Sequence, residues 1–191
     1  MASANGDAKQ SRMFSPLRSL TGWRETVRTL GLATLVCGVA DITFVILGML
    51  VRGSDPLRML QGIAFSVLGR DTYQGGLMTA ALGLLLHFGV AAGATGHYAL
   101  LATFVRPVLR HPLIAGVLFG IYFHFLMQLV VLPLTLIPER PLFPAMWWVQ
   151  LIAHATCVGP IIALVLSWRE QSLMRGAAST GRAGAHAAQV A

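Results

Sequence analysis

From Gly75 to Val105 the chain runs for about 31 residues without one charged side chain. Three further apolar runs, charged only at Asp41, are Thr29 to Leu50, about Leu113 to Leu132, and about Ala145 to Trp168. A helix rises 1.5 Å per residue, so roughly 20 residues cover the ~30 Å hydrocarbon core of a bilayer. These runs predict an all-α fold: an integral membrane bundle of four transmembrane helices.

Composition agrees. Hydrophobic residues make up 55% of the 191 residues and charged residues 11%, with a mean hydropathy of +0.69. Soluble domains are about a quarter charged, so the apolar surface here has to be buried in lipid. The net charge of +7 raises the question of nucleic acid. The basic residues flank apolar runs and do not form an interleaved patch, so membrane topology accounts for them and nucleic acid does not. Cys37 and Cys157 both lie inside apolar runs, which is no disulfide framework.

Three regions follow. Residues 1–28 form a basic N-terminal segment, with a short surface helix expected near Trp23. Residues 29–168 form the transmembrane domain. Residues 169–191, rich in Ala, Gly, Ser and Arg, read as a disordered tail. The first apolar run is too long for a signal peptide, and Val36 before Cys37 is too large for a lipoprotein box, so it reads as an uncleaved anchor. Between the first two spans, Ser54 or Asp55 before Pro56 signals a helix start and Gly69 a stop. That helix is too short to span, so it is expected to lie in the interface or to re-enter the membrane. Trp147, Trp148 and Trp168 sit at the ends of the last run, where interfacial rings settle. Alternating spans put ten of the 14 Lys and Arg residues on one side. The positive-inside rule then predicts both termini in the cytoplasm.

Each span also carries an ionisable group away from its ends: Asp41, His87, His124 and His154. Each lies about 8 to 12 residues from the outer end of its run, roughly 12–18 Å deep. Four groups at one depth, one per helix, argue for a shared layer. Residues four apart share a helix face, and the faces that lead to these groups are small or polar. The third span reads Gly116, Gly120, His124, Gln128. The fourth reads Gln150, His154, then Cys157 or Val158. The second reads Gly75, Thr79, Gly83, His87, Ala91, Thr95, and the first Gly31, Thr34, Gly38, Asp41 with Cys37 beside them. Small residues let helices approach closely in lipid, so Gly38, Gly83, Gly116 and Gly120 are read as packing sites. Gly89, Gly93 and Gly96 are read the same way.

A neutral histidine in such a helix can be simple glue, bonded to a carbonyl or Thr on its neighbour. Asp41 is harder to treat so. An ionised carboxylate that has lost its water needs a bound proton or a cation, and no Lys or Arg occurs within a span. His97, His111 and His186 read as incidental, and the two cysteines as small apolar fillers.

The order of a His-bearing helix, a basic "RPVLRHP" loop, "AGVLFGIYFHFLMQLVVLPLTLIP" and "LIAHATCVG" resembles the YagU-like group of small bacterial inner-membrane proteins. The likeness covers about Leu82 to Gly159 and rests on His87, Gly116, His124, Pro133, Pro138 and His154. It implies a bacterial inner membrane and a helical bundle. It supplies no substrate, because the group has no settled biochemistry.

Three functions compete. The first is a proton- or ion-linked bundle using the His/Asp layer. The second is an intramembrane metal or haem site built from His87, His124, His154 and Asp41. No HxxxH or CxxC spacing supports it, and the cofactor is left unknown. The third is a non-catalytic structural or assembly protein with a homo-oligomeric or membrane-protein partner. No nucleophile elbow, P-loop or dinucleotide turn is present, so no enzyme is expected.

Overall fold

The structure is a computed structural model that describes residues 20–138 and 147–190. Residues 1–19, and the 139–146 loop with Arg140, lie outside the described residues. The chain is an all-α membrane bundle, with no strand among the described residues. Its helices are α1 (Leu20–Val51), α2 (Pro56–Leu68), α3 (Gly76–Phe104), α4 (Pro112–Leu126), α5 (Trp147–Ala153) and α6 (Gly159–Val190). Four stretches are long and apolar enough to cross a bilayer: Gly22–Val51, Gly76–Phe104, Pro112–Leu134 and Trp147–Leu173. They alternate in direction. One end of the bundle therefore carries the start of α1 and the far end of α6. There Arg169 lies 3.3 Å from Glu25. This is called the terminal end, and the opposite one the distal end.

Two elements differ from what the sequence led one to expect. The surface helix near Trp23 is the first part of α1, continuous with the span. The tail from Arg169, expected to be disordered, continues α6 as helix to Val190; its alanines favour that conformation.

The short helix α2 forms as its ends dictate. Asp55 accepts the Leu57 N–H at 2.9 Å, Pro56 fits the first turn, and Gly69 ends the helix at φ 64°. It does not lie across the tip of α3. Gly83 has no side chain to hold off the Leu60 carbonyl, so the two backbones touch there. Gly83 is seven residues into α3, so α2 reaches about 10 Å down the distal half of the bundle. It is held by polar bonds. Gln61 Nε2 donates to the Gly76 carbonyl at 3.0 Å, Thr72 Oγ1 to the Gln61 carbonyl at 3.1 Å and Thr79 Oγ1 to the Thr72 carbonyl at 2.6 Å. From the other side, Leu136 N–H donates to the Ser66 carbonyl at 3.0 Å.

The four expected packing glycines all lie at close helix contacts. At Gly38 a Cβ would meet the Phe88 ring at 2.7 Å, and at Gly116 it would meet Pro160 at 2.6 Å. At Gly120 it would strike the His154 carbonyl. Gly89, Gly93 and Gly96 do not pack: they are exposed, with nothing within 4 Å of a Cβ, and so is Gly31. Two stripes of small residues run along α3, and the bundle buries the one through Gly83, Ala91 and Thr95.

Candidate functional site: a cavity floored by Asp41, His87 and His154

Two spans depart from α-helical geometry, each along one turn. After His124, residues Met127–Val131 form a π-helical turn in which Leu132 N–H bonds the Met127 carbonyl. The turn His154–Val158 repeats this, with Gly159 N–H bonding the His154 carbonyl. Each turn ends two residues before a proline, Pro133 or Pro160. Proline has no N–H and its ring crowds the carbonyl four residues back. Widening the preceding turn relieves that, and single π turns gather at functional sites. "VVLP" and "CVGP" were therefore a readable signal that sequence reasoning missed.

The widened turns border a cavity of about 1060 Å³. Its distal wall includes Met59, Tyr73 and Arg70, together with Ile137 and Pro138. Its floor is the top of the close-packed core: Cys37, Ala91, Phe123 and Val158 belong to both. One helical turn distal to three of these residues stand the ionisable groups. Asp41 follows Cys37 on α1, His87 precedes Ala91 on α3, and His154 precedes Val158. All three line the cavity, with Gln128 and Gln150. The expected layer is thus assembled, and Asp41 and His154 are more than nine-tenths buried.

The layer divides into two clusters. In the first, His87 Nε2 lies 2.9 Å from the Gly38 carbonyl oxygen. A carbonyl only accepts, so Nε2 carries the proton and donates. Gly38 makes this possible, since a side chain there would push Phe88 and α3 away. The fixed tautomer leaves His87 Nδ1 facing Asp41 Oδ2 at 4.0 Å. Asp41 Oδ1 has no hydrogen-bond partner. In the second cluster, the His124 and His154 rings meet edge to face, with centroids 5.4 Å apart. Gln150 Nε2 lies 3.1 Å from His154 Nε2 and, as an amide nitrogen, donates to it. His154 Nδ1 and His124 Nδ1 are buried without partners. His124 is fully enclosed and does not line the cavity. Buried polar atoms in native proteins are nearly always bonded, so three orphans in one layer mark the region as built for more than packing.

Asp41, His87, His124 and His154 stand as two pairs, and no group of three His, Cys, Asp or Glu side chains able to hold a metal ion occurs among the described residues. A haem between His124 and His154 would need their touching rings forced apart.

His97, read as incidental, has a partner. Its Nε2 lies 3.3 Å from the Tyr122 hydroxyl, and its ring packs on Phe119 and Tyr122. It ties α3 to α4 as polar glue. Cys37 is fully buried and Cys157 half-buried, both as free thiols.

Set against known protein families, curated proteins and solved structures, the chain matches none.

Proposed function

We propose that this chain is a multi-pass protein of a bacterial inner membrane, of the YagU-like kind, with both termini cytoplasmic, and that Asp41 and His87 bind and release a proton at the floor of its cavity. It is not an enzyme on this reading; its site moves a proton and makes no covalent bond. The Lys and Arg distribution supports the orientation, which turns the distal mouth of the cavity to the outside. The YagU-like resemblance supports the membrane.

The observation that carries the reading is the Asp41–His87 pair. With His87 Nε2–H committed to Gly38, one proton has two homes. It sits on Asp41 with His87 Nδ1 as acceptor, or on Nδ1 with Asp41 as carboxylate. Both states are net neutral and tolerable at this depth. Passage between them requires the 4.0 Å gap to close by about 1 Å. The cavity gives the pair access from the distal side, and release to the other side requires the packed core beneath it to open.

The test is proton entry into liposomes that contain the purified protein and a trapped pH dye. After an external pH step the wild type should acidify the lumen faster than empty liposomes. Asp41→Asn, almost isosteric, should remain folded and lose the effect. In parallel, the wild type should give a carboxylic-acid infrared band that titrates with pH and is missing in Asp41→Asn. Wild-type behaviour of Asp41→Asn in both assays would leave Asp41 as a packing residue and sink the reading.

A further inference from the structure

The cavity is far larger than a proton needs. At about 1060 Å³ it exceeds most sites for drug-sized molecules, which run roughly 300–1,000 Å³. Its walls are mostly apolar and unusually aromatic and sulfur-rich, with Met59, Phe65, Tyr73, Phe123, Met127 and Trp147 facing it. Flat rings and adaptable thioethers suit a flat ring system. Arg70, at the distal mouth, is the one Lys or Arg on the wall among the described residues.

The floor sets the charge of the guest. The Asp41–His87 pair is net neutral in both of its one-proton states, and among the described residues no Lys or Arg lines the floor beside it to receive an anion. A cation would compete with the proton for Asp41 and would leave His87 imidazolium beside it. The floor therefore favours a neutral polar group. It offers such a group both kinds of hydrogen bond. Gln128 lines the cavity half-buried, and its carboxamide makes no hydrogen bond among the described residues, so a donor and an acceptor are both available. Asp41, whose second oxygen is unpartnered, adds a proton donor or acceptor.

We propose that the cavity binds a neutral, lipid-soluble ring compound bearing carbonyl or hydroxyl groups, of the quinone or quinol class. The ring oxygens meet Gln128 and the Asp41–His87 pair, and the tail runs along the apolar wall toward the distal mouth. The proposal is one of binding, and it rests on the proton-holding reading of that pair. A ring oxygen at this floor would sit beside the shared proton, which gives the pair a chemical partner.

The experiment titrates the full-length protein in detergent with decyl-ubiquinone and follows tryptophan fluorescence. Trp147 on the cavity wall is the reporter. Saturable quenching is expected. Trp147→Phe should cut its amplitude. Gln128→Leu should move the midpoint roughly tenfold higher, the effect of losing one to two hydrogen bonds. Linear quenching that is equal in the wild type, Gln128→Leu and Trp147→Phe means micelle partitioning and overturns the proposal. So does displacement of the quinone by dodecyl phosphate at a lower concentration than by fresh quinone, because the site would then be anionic-lipid selective. If quenching fails while the Asp41 infrared band still titrates, the ring ligand is wrong and the proton reading stands. If the band is also absent, both fall.

Discussion

The two halves of this bundle solve the same problem in opposite ways. The terminal half is filled. Tyr98, Ile162 and Ala163 are completely buried, and Tyr98 stands perpendicular to Phe119 at 4.9 Å. Its largest buried polar side chain is satisfied, since Tyr98 donates to the Val108 carbonyl at 3.2 Å, and Thr95 Oγ1 is left without a partner. The distal half is hollow and irregular. It has a helix that dips and turns back, the π turn Met127–Val131, and a cavity beside them, and the second π turn runs from the boundary into the core. Its ionisable groups lie where the two halves meet, and several of their atoms are left without partners. A rigid base that positions unsatisfied groups under an open space is the arrangement of a site. A bundle held together by polar glue alone would have bonded those atoms.

The sharpest test of the boundary is where α4 meets the second π turn. At Gly159 a Cβ would fall on the Gly116 carbonyl and within 2.7 Å of Gly120 N. Both are backbone, which cannot rotate away. Gly159→Val should abolish the folded state, read as loss of a monodisperse peak in detergent, because the clash exceeds the ~1–3 kcal/mol of ordinary overpacking. Gly93→Ala, in open space, should leave the peak and the melting midpoint unchanged. If Gly159→Val folds normally, the close approach that sets the floor of the cavity is not there.

That pair of glycines also marks how far the sequence could be read. Lipid forces long uninterrupted apolar runs, so the four spans stood out, and so did any polar residue within them. The depth of Asp41, His87, His124 and His154 followed from counting. Orientation about each helix axis followed only in part: the stripe through Gly83, Ala91 and Thr95 is buried as read, whereas Gly89, Gly93 and Gly96, read as packing too, are exposed. In water a helix displays one apolar face, but in lipid the outside is apolar too, and the period fades. On α3 the stripe through Gly83 and the stripe through Gly89 and Gly93 look alike on paper. Only packing against α1 and α2 chose between them. The descent of α2 was equally hidden, because it depends on Gly83 meeting Leu60. Polar pairing inside the layer was hidden for a related reason: whether His87 takes Asp41 or another imidazole depends on which side of α1 it meets. The π turns were legible in principle, from Pro133 and Pro160.

A smaller effect separates the filled half from the hollow one. Tyr98→Ala removes a fully buried ring from a close-packed region and should cost about 3–5 kcal/mol, as large core truncations do. Met59→Ala trims a side chain that already borders empty space, so the loss should stay under about 1.5 kcal/mol. Denaturant melts in mixed micelles compare the two. Equal losses would mean that the cavity is closed in solution, and the contrast between the halves would vanish.

The smallest expected effect compares two ion pairs at two depths. Glu25 and Arg169 join α1 to α6 at the terminal end, 3.3 Å apart, and both side chains remain partly open to solvent. Asp41 and His87 are both largely buried at the layer. Solvent and salt screen the first pair, and such pairs contribute about 0–1 kcal/mol. Arg28 also reaches Glu25 at 2.8 Å, so neither arginine depends on it for hydration. Glu25→Gln should therefore shift the melting midpoint little, and the shift should shrink further as salt rises from about 0.05 to 0.5 M and the Debye length shortens from roughly 14 to roughly 4 Å. It should leave proton entry into liposomes at the wild-type rate, whereas Asp41→Asn stops it with hardly any change in side-chain shape. If Glu25→Gln slows proton entry as much as Asp41→Asn does, the charges at the terminal end lie on the proton's path. The terminal end would then be part of the site, and the division between the two halves would not describe function.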